Sequence, residues 1–293
     1  THCESSAASD VYKRQRYKWN NDEWEYNKKK FQANLMVRNK DKEEQKLRQL
    51  SISEARETLG VWIAADGNWR IQKQKLESKA KVWATLLKRG HLNPTDTVIA
   101  TKATIMKTLE YPLPATTLSE QQCKDIMKKI LPTVLPRMKV TRTINRDAVH
   151  LPTEYRGLGI KDLYTTQGIE HVKILMRHGG EASVTGNLLQ TTMELHTLEA
   201  GSTHPIFSLQ DEHHSLLTGT WFSHTLIFMK KHEINITNYN GQAKKWHQGD
   251  IGIMDEIIEA MRYNTSELRG INYCREYLNL SLIHISEPTR LNP

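Results

Sequence analysis

The period of the apolar positions changes once along the chain, near residue 69. Before that point they alternate. Tyr17, Trp19, Trp24 and Tyr26 are spaced by two around Asn20-Asn21-Asp22, which predicts a hairpin with one apolar face. Residues 31–37 read as a next strand, the charged run 38–46 as a solvated turn or loop, and 51–56 as a short helical or turn element. Leu59–Ile63 reads as a compact strand ended by an Asp66-Gly67 turn. From Trp69 onward the period is that of a helix. Leu76, Ala80, Trp83 and Leu87 fall on one face, and Gly90 closes the helix behind Lys88-Arg89.

The helical pattern then repeats. Asn93-Pro94 opens a second helix, whose stripe of Val98, Ile99, Ile105, Met106 and Leu109 runs to a stop at Tyr111-Pro112. Ser119 and Gln122 have the spacing of a capping box, with Leu118 as its staple. Cys123, Ile126, Met127 and Ile130 form the buried face of that third helix, and Pro132 is expected to end it. Residues 136–150 read as basic and irregular. Gly157-Leu-Gly159-Ile reads as a tight turn entering a helix over 165–178, which Gly179-Gly180 terminates. Further helices are expected over 182–198, 212–232, 251–262 and 266–278, with a turn at Asn240-Gly241. The fold class that follows is mainly α, with a small N-terminal antiparallel β hairpin region.

The chain has 293 residues and a net charge of +8, and the distribution of that charge matters more than its sum. Residues 1–68 carry 13 Lys/Arg against 11 Asp/Glu, residues 69–146 carry 16 against 5, and residues 147–293 carry 12 against 17. Such a segregated field attracts a polyanion to the middle of the chain. The bland alternative is a solvated helical surface with a chance bias. No run is long and apolar enough to span a membrane, and no signal peptide opens the chain. Cys3, Cys123 and Cys274 are scattered and odd in number, which speaks against a disulfide scaffold or a cysteine-rich zinc site. An intracellular location, nuclear or cytoplasmic, is the expectation.

Few residues suggest catalysis. A nucleotidyl-transfer site needs paired carboxylates to hold divalent metals, and no adjacent aspartate pair exists. Asp41, Glu43 and Glu44 sit in a lysine-rich surface run, and Asp66 reads as a turn residue beside Gly67. The cluster Asp211, Glu212, His213 and His214 reads as a helix start with solvent-facing histidines. His224 and His232 could share a helical face but lack a third ligand. There is no GxSxG, and Arg156-Gly-Leu-Gly-Ile is too short for a phosphate loop. Trp83 and Trp69 read as packing residues, with base stacking the alternative for Trp69. Tyr155 and Tyr164 could contact a duplex backbone or pack in the core. Met106, Met127 and Met138 need no functional explanation.

At TLGVWIAADGN (residues 58–68), IMKTLEYPLPATTLS (105–119) and LPTEYRGLGIKDLYTTQGIEHVKILMRHGG (151–180) the chain resembles reverse transcriptases of non-LTR retroelements, in particular sequences from diatoms and related algae. The family motif positions here are Leu59, Gly60, Asp66, Gly67, Tyr111, Pro112, Gly157, Gly159, Gln167 and Gly168. The resemblance implies a palm-end hairpin region over 16–68, a basic thumb-like helical bundle over 69–180 and a helical connection region over 181–280. The end segments 1–15 and 281–293 resemble translated sequencing-adaptor DNA, and both are expected to be poorly ordered. The family's paired catalytic aspartates are missing, so the resemblance implies a piece of an RNA-directed DNA polymerase without its chemistry. The palm and fingers would lie upstream. No cofactor is expected for this piece, and magnesium would serve the parent enzyme. The implied partner is an RNA–DNA or DNA duplex, held without sequence preference. Lys73, Lys79, Lys81, Lys88, Arg89, Lys102, Lys107, Arg137, Lys139, Arg142 and Arg146 are the expected backbone contacts. Two alternatives stay open: a stand-alone nucleic-acid-binding helical module, and a structural or protein-interaction domain.

Overall fold

The computed structural model describes residues 17–20, 23–26, 36–38, 44–46, 50–236, 252–260 and 264–277. The end segments and Asn240-Gly241 lie outside the described residues. The fold is mainly helical, with short antiparallel hairpins toward the N-terminus. Two compact units emerge. One comprises Ile52–Thr192 with Gly219–Asn235; the other comprises Thr1–Ser51, Met193–Thr218 and Ile236–Pro293.

In the second of these units, β1 (Tyr17–Asn20) pairs with β2 (Glu23–Tyr26), setting Tyr17 opposite Tyr26 and Trp19 opposite Trp24. The expected hairpin register is therefore present. Part of the charged run departs from expectation. β3 (Met36–Arg38) pairs with β4 (Glu44–Lys46), so the run expected as a loop supplies a strand. The ladder is made by backbone groups, which every residue but proline carries, so a charged run can supply it.

The larger unit begins with β5 (Arg56–Thr58) and β6 (Val61–Ile63), joined by a two-residue turn. Leu59 and Gly60, expected at the head of a strand, form that turn with φ of 50° and 82°. Two successive positive φ values match the right-handed twist of the flanking strands. The Tyr111 hydroxyl donates to the Leu59 carbonyl at 2.8 Å, and the Trp62 amide donates to Gln72 Oε1 at 2.8 Å. Asp66 and Gly67 form the expected turn, with the Asn68 amide donating to Asp66 Oδ1.

The helices follow as α1 (Arg70–Arg89), α2 (Pro94–Ala100), a π turn over Thr101–Ile105, α3 (Met106–Glu110), α4 (Glu120–Met127), α5 (Leu131–Arg137), α6 (Arg146–His150) and α7 (Leu163–His178). Helix α1 packs on α4 and α5, and α7 packs on α4 and on α10 (Trp221–Lys231). Helix α8 (Val184–Ala200) and the short α9 (Asp211–His214) lie between α7 and α10 in the chain. Leu76, Ala80 and Leu87 are buried on the expected α1 face; Trp83 and Trp69 pack against the same core. Fully burying each such leucine contributes about 1.5–3 kcal/mol. Both capping-box bonds at Ser119 and Gln122 are made, and the Asn93 side chain accepts from the Asp96 amide.

Three expectations about these helices are corrected. Pro132 does not end the third helix: that helix stops at Met127, and Pro132 stands in the first turn of α5. Proline is tolerated there because the first amides of a helix have no intrahelical acceptor. Residues 136–150 are not wholly irregular, since α5 runs to Arg137 and α6 opens at Arg146 with Asn145 as its cap. The helix expected over 212–232 is two helices, because Thr220 and Ser223 form a second capping box that starts α10 afresh.

Two glycines of the 151–168 stretch are explained by close approach. A Cβ on Gly157 would lie 2.0 Å from the Leu151 carbonyl oxygen, because the chain folds back to bond residues 148–152 through the amides of residues 157–160. A Cβ on Gly168 would fall 2.3 Å from the Phe228 ring, so α7 meets α10 at a site only glycine allows. One residue earlier, buried Gln167 accepts from Thr116 Oγ1 and the Leu118 amide at 3.0 Å and donates to the Leu118 carbonyl at 2.9 Å. It ties the 113–118 segment to α7 with neutral hydrogen bonds.

The smaller unit contains α11 (Ile253–Ala260) and α12 (Thr265–Tyr277). Arg275 Nη2 donates to the Leu198 and Glu199 carbonyls at 2.6 and 3.0 Å, and Asn272 Nδ2 donates to Glu199 O at 2.9 Å. These bonds satisfy the last carbonyls of α8.

Candidate nucleic-acid interface

Helix α1 leaves a continuous arc exposed, which Arg70, Lys75, Lys79, Lys81, Val82, Thr85, Leu86, Lys88 and Arg89 occupy. The arc exists because the opposite face is spent on Leu76, Ala80, Ala84 and Leu87. Among the described residues, the side chains of Lys79, Lys81, Lys88 and Arg89 make no ion pair or hydrogen bond. Lys88 and Arg89 also stand in the last turn, where cations offset the negative end of the helix dipole. Lys75, not among the expected contacts, lies with Nζ 4.6 Å from the centre of the Trp62 ring.

Arg137 Nη2 donates to the Lys88 carbonyl at 2.6 Å, joining the C-terminal ends of α1 and α5. That bond brings the segment 138–146 to the same end of the unit as Lys88 and Arg89. Lys139 and Arg142 are exposed there, and Arg146 donates weakly to the Arg142 carbonyl at 3.4 Å. Lys139 sits at φ 61°, a left-handed conformation that costs about 1–2 kcal/mol for a residue with a Cβ. Arg156 has the same feature, with φ 62° and an exposed side chain. It was missed in the sequence because only the neighbouring glycine suggested a turn.

Other expected contacts have structural partners. Lys73 bonds Glu77 at 3.3 Å and Asp125 at 3.5 Å. Burial would lower its pKa, but the two carboxylates outweigh that and raise it. Lys107 lies 3.3 Å from Glu110, which also holds Lys161 at 3.1 Å. Lys102 is half-buried and stands over Gly159, where a Cβ would be 3.1 Å from its Nζ. Arg137 acts as a helix-end donor. Of the eleven expected cations, then, Lys79, Lys81, Lys88, Arg89, Lys139 and Arg142 are exposed with uncommitted side chains, and Arg146 is exposed with one weak bond.

The carboxylates of this unit do not form a metal centre. Glu110, Glu120 and Asp125 are each bridged by two lysines, Glu120 by Lys124 and Lys231 and Asp125 by Lys73 and Lys128. Hydrogen bonds from Lys124 and Lys231 hold the Glu120 carboxyl down at about 2. Among the described residues, no group of three or more His, Cys, Asp or Glu is placed to hold a metal ion. The described residues therefore do not fit a two-metal polymerase site.

The histidines differ from expectation. His213 does not face solvent: it is 1% exposed, with Nε2 2.9 Å from Asp255 Oδ1. Burial would raise Asp255, but His213, Ser202 and Thr203 outweigh it and bring the carboxyl to about 2. His224 lies half-buried on α10, whereas His232 lies just beyond it with its ring on Phe228. Tyr155 is exposed and Tyr164 packs edge-on against Phe228. Met106, Met127 and Met138 are core residues.

No protein-family model, no curated protein and no solved structure matches this chain at a significant level. Among the described residues, no helix is long and apolar enough to cross a membrane.

Proposed function

We propose that this chain grips a nucleic-acid duplex as the thumb and connection portion of a non-LTR retroelement reverse transcriptase, with the polymerase chemistry carried elsewhere. The observation that supports this most is the set of uncommitted cations at one end of the larger unit: Lys88, Arg89, Lys139 and Arg142, with Lys79 and Lys81 further back along α1. Cations held by carboxylates elsewhere in the unit contribute little field, whereas these face solvent and suit phosphate oxygens. Such contacts position a duplex without reading its bases. The exposed Leu59 at the hairpin tip, in a left-handed conformation with its carbonyl bonded by Tyr111, is a second surface feature of the stretch that carries the resemblance.

The test is equilibrium binding of a labelled primer–template duplex across a salt series. Six phosphate contacts predict a loss of roughly three orders of magnitude in affinity between 50 and 200 mM salt. A flat salt response would remove the phosphate-contact role. Val82 and Leu86, both exposed on the same arc, favour a second reading in which the arc docks a protein. In that case replacing these two residues with serine, and not the cations, would abolish binding of the partner.

A further inference from the structure

The segment between α5 and α6 carries two threonines amid the basic cluster, and their chemistry differs from that of the helical threonines nearby. Thr85, Thr97, Thr101 and Thr108 each donate the hydroxyl to a carbonyl four residues back. Thr141 and Thr143 are exposed, and their hydroxyls have no partner among the described residues. The amides of Thr141, Arg142 and Thr143 donate to no backbone carbonyl among the described residues. The stretch is anchored by the Val140 amide on the Leu135 carbonyl and by a long 3.4 Å bond from the Ile144 amide to the Thr141 carbonyl. Residues 141–143 lie between Val140 and Ile144, which pack against the core, and drawing these three out breaks neither helix nor sheet. Ser78 and Thr104, also exposed and without a hydroxyl bond among the described residues, lie inside helical runs and cannot be drawn out in this way.

We propose that Thr141 is a phosphorylation site, modified by a protein kinase that selects basic residues before the acceptor, and that its phosphate switches off the cationic surface. Lys139 precedes Thr141 by two residues and Arg142 follows it directly, both exposed and uncommitted; Arg137, four residues before, is held on the Lys88 carbonyl. An acidic kinase cleft recognises such cations through charge-assisted bonds. The Thr141 hydroxyl oxygen attacks the γ-phosphorus of a nucleoside triphosphate. The bond from that phosphorus to the β–γ bridging oxygen breaks, a nucleoside diphosphate leaves, and the hydroxyl proton passes to the kinase's base. The product carries about −1.5 to −2 charges and three acceptor oxygens beside Lys139 and Arg142. It neutralises those cations and repels nucleic-acid phosphates. The second half of the proposal rests on the duplex-binding reading above.

The full chain is incubated with a basic-directed serine/threonine kinase and ATP, and the modified residue is located by mass spectrometry. Near-stoichiometric incorporation at Thr141 is expected, abolished in T141A and retained in T143A. No incorporation, or incorporation at Thr143 or elsewhere only, overturns the site. The modified chain is then titrated with the primer–template duplex. Affinity is expected to fall about tenfold at moderate salt, with the salt slope reduced by roughly 2, and T141A treated with kinase is expected to bind as untreated protein does. Unchanged affinity of a phosphorylated chain overturns the switch. If unmodified protein fails to bind duplex at all, the duplex-binding reading and the switch fall together, while the acceptor assignment is judged on the mass spectrum alone.

Discussion

The larger unit buries aliphatic side chains and neutral glutamines and keeps its inter-segment ion pairs partly exposed, whereas the smaller unit buries a histidine–carboxylate pair. In the larger unit Gln72 and Gln167 each satisfy backbone groups of a distant segment, and Leu76, Leu109, Leu118 and Ile126 are fully buried around them. In the smaller unit His196 Nδ1 lies 2.6 Å from Glu199 Oε2, with both residues buried, and Thr218 donates to the same carboxylate through its hydroxyl and its amide. Burial alone would raise Glu199, but His196 and Thr218 outweigh it and lower its pKa. A second pair brings His213 Nε2 within 2.9 Å of Asp255 Oδ1, with the aspartate partly exposed. Apolar packing degrades gradually under mutation, because each methylene contributes a small increment. A buried pair fails abruptly, because removing one member strands the other in a low-dielectric site.

The sharpest way to break this contrast is Glu199→Ala. It leaves His196 and Thr218 without their acceptor and is expected to destabilise the smaller unit by about 3–5 kcal/mol. Native-state hydrogen exchange would show protection lost in α12 and kept in α1 and α4. Equal loss in both units would mean that they do not respond separately.

Acid should affect the two units at different pH. His171 is 1% exposed with its ring on Trp221, and burial pushes its pKa down to about 4, against hydrogen bonds to the backbone of Leu113 and Thr116 that raise it. The unfolded chain takes up the proton first, so the larger unit is at full stability above about 6.5 and loses on the order of 3 kcal/mol as pH falls to 4. Asp255 has the lowered pKa of a carboxylate. Its stabilisation of the smaller unit is present above about 4 and is lost as pH falls toward 2. Urea titrations at pH 7, 5 and 4, read by exchange in each unit, check the order. His171→Phe should flatten the larger unit's profile over that range.

Gln167→Ala is a smaller perturbation. It strands the Leu118 amide and carbonyl, while the Thr116 hydroxyl keeps the Leu113 carbonyl, for an expected loss of about 2–3 kcal/mol in the larger unit alone. Gln167→Glu distinguishes the hydrogen bonds from the packing: it keeps the volume and the acceptor but removes the donor to Leu118 O. Smallest in stability is the paired replacement Lys88→Ala with Arg89→Ala, expected within about 0.5 kcal/mol of the parent. The same pair should weaken duplex binding and lower the salt slope by about 2, whereas Lys73→Ala, whose cation is held by Glu77 and Asp125, should leave that slope unchanged.

Features set by neighbouring residues were legible in the chain. The Ser119–Gln122 box, the Asn93 cap, the Asp66-Gly67 turn and the buried face of α1 all depend on spacings of a few residues. Features set by distant partners were not. Pro132 is compatible with either end of a helix, and only the turn after Met127 made it a beginning. The polar pattern at 211–214 is that of a surface helix, yet Asp255, far along the chain, draws His213 inside. Gln167 is one polar residue in an amphipathic stretch when read alone, and its hydrogen-bond partner Leu118 lies 49 residues away. The basic block was visible as composition. Which of its cations remain free depends on whether a carboxylate from another helix lies within reach.

What the sequence determined by itself is the mainly helical class, the position of the helical faces and the concentration of positive charge over residues 69–146. Periodicity and charge are local properties, and the backbone obeys them locally. Only the tertiary structure decided that Lys73 and Lys107 are spent on ion pairs while Lys88, Arg89, Lys139 and Arg142 are not. It also decided that glycine is required where α7 crosses α10. Those outcomes depend on which surfaces meet after the chain has packed, and hydrophobic burial settles that without regard to sequence distance.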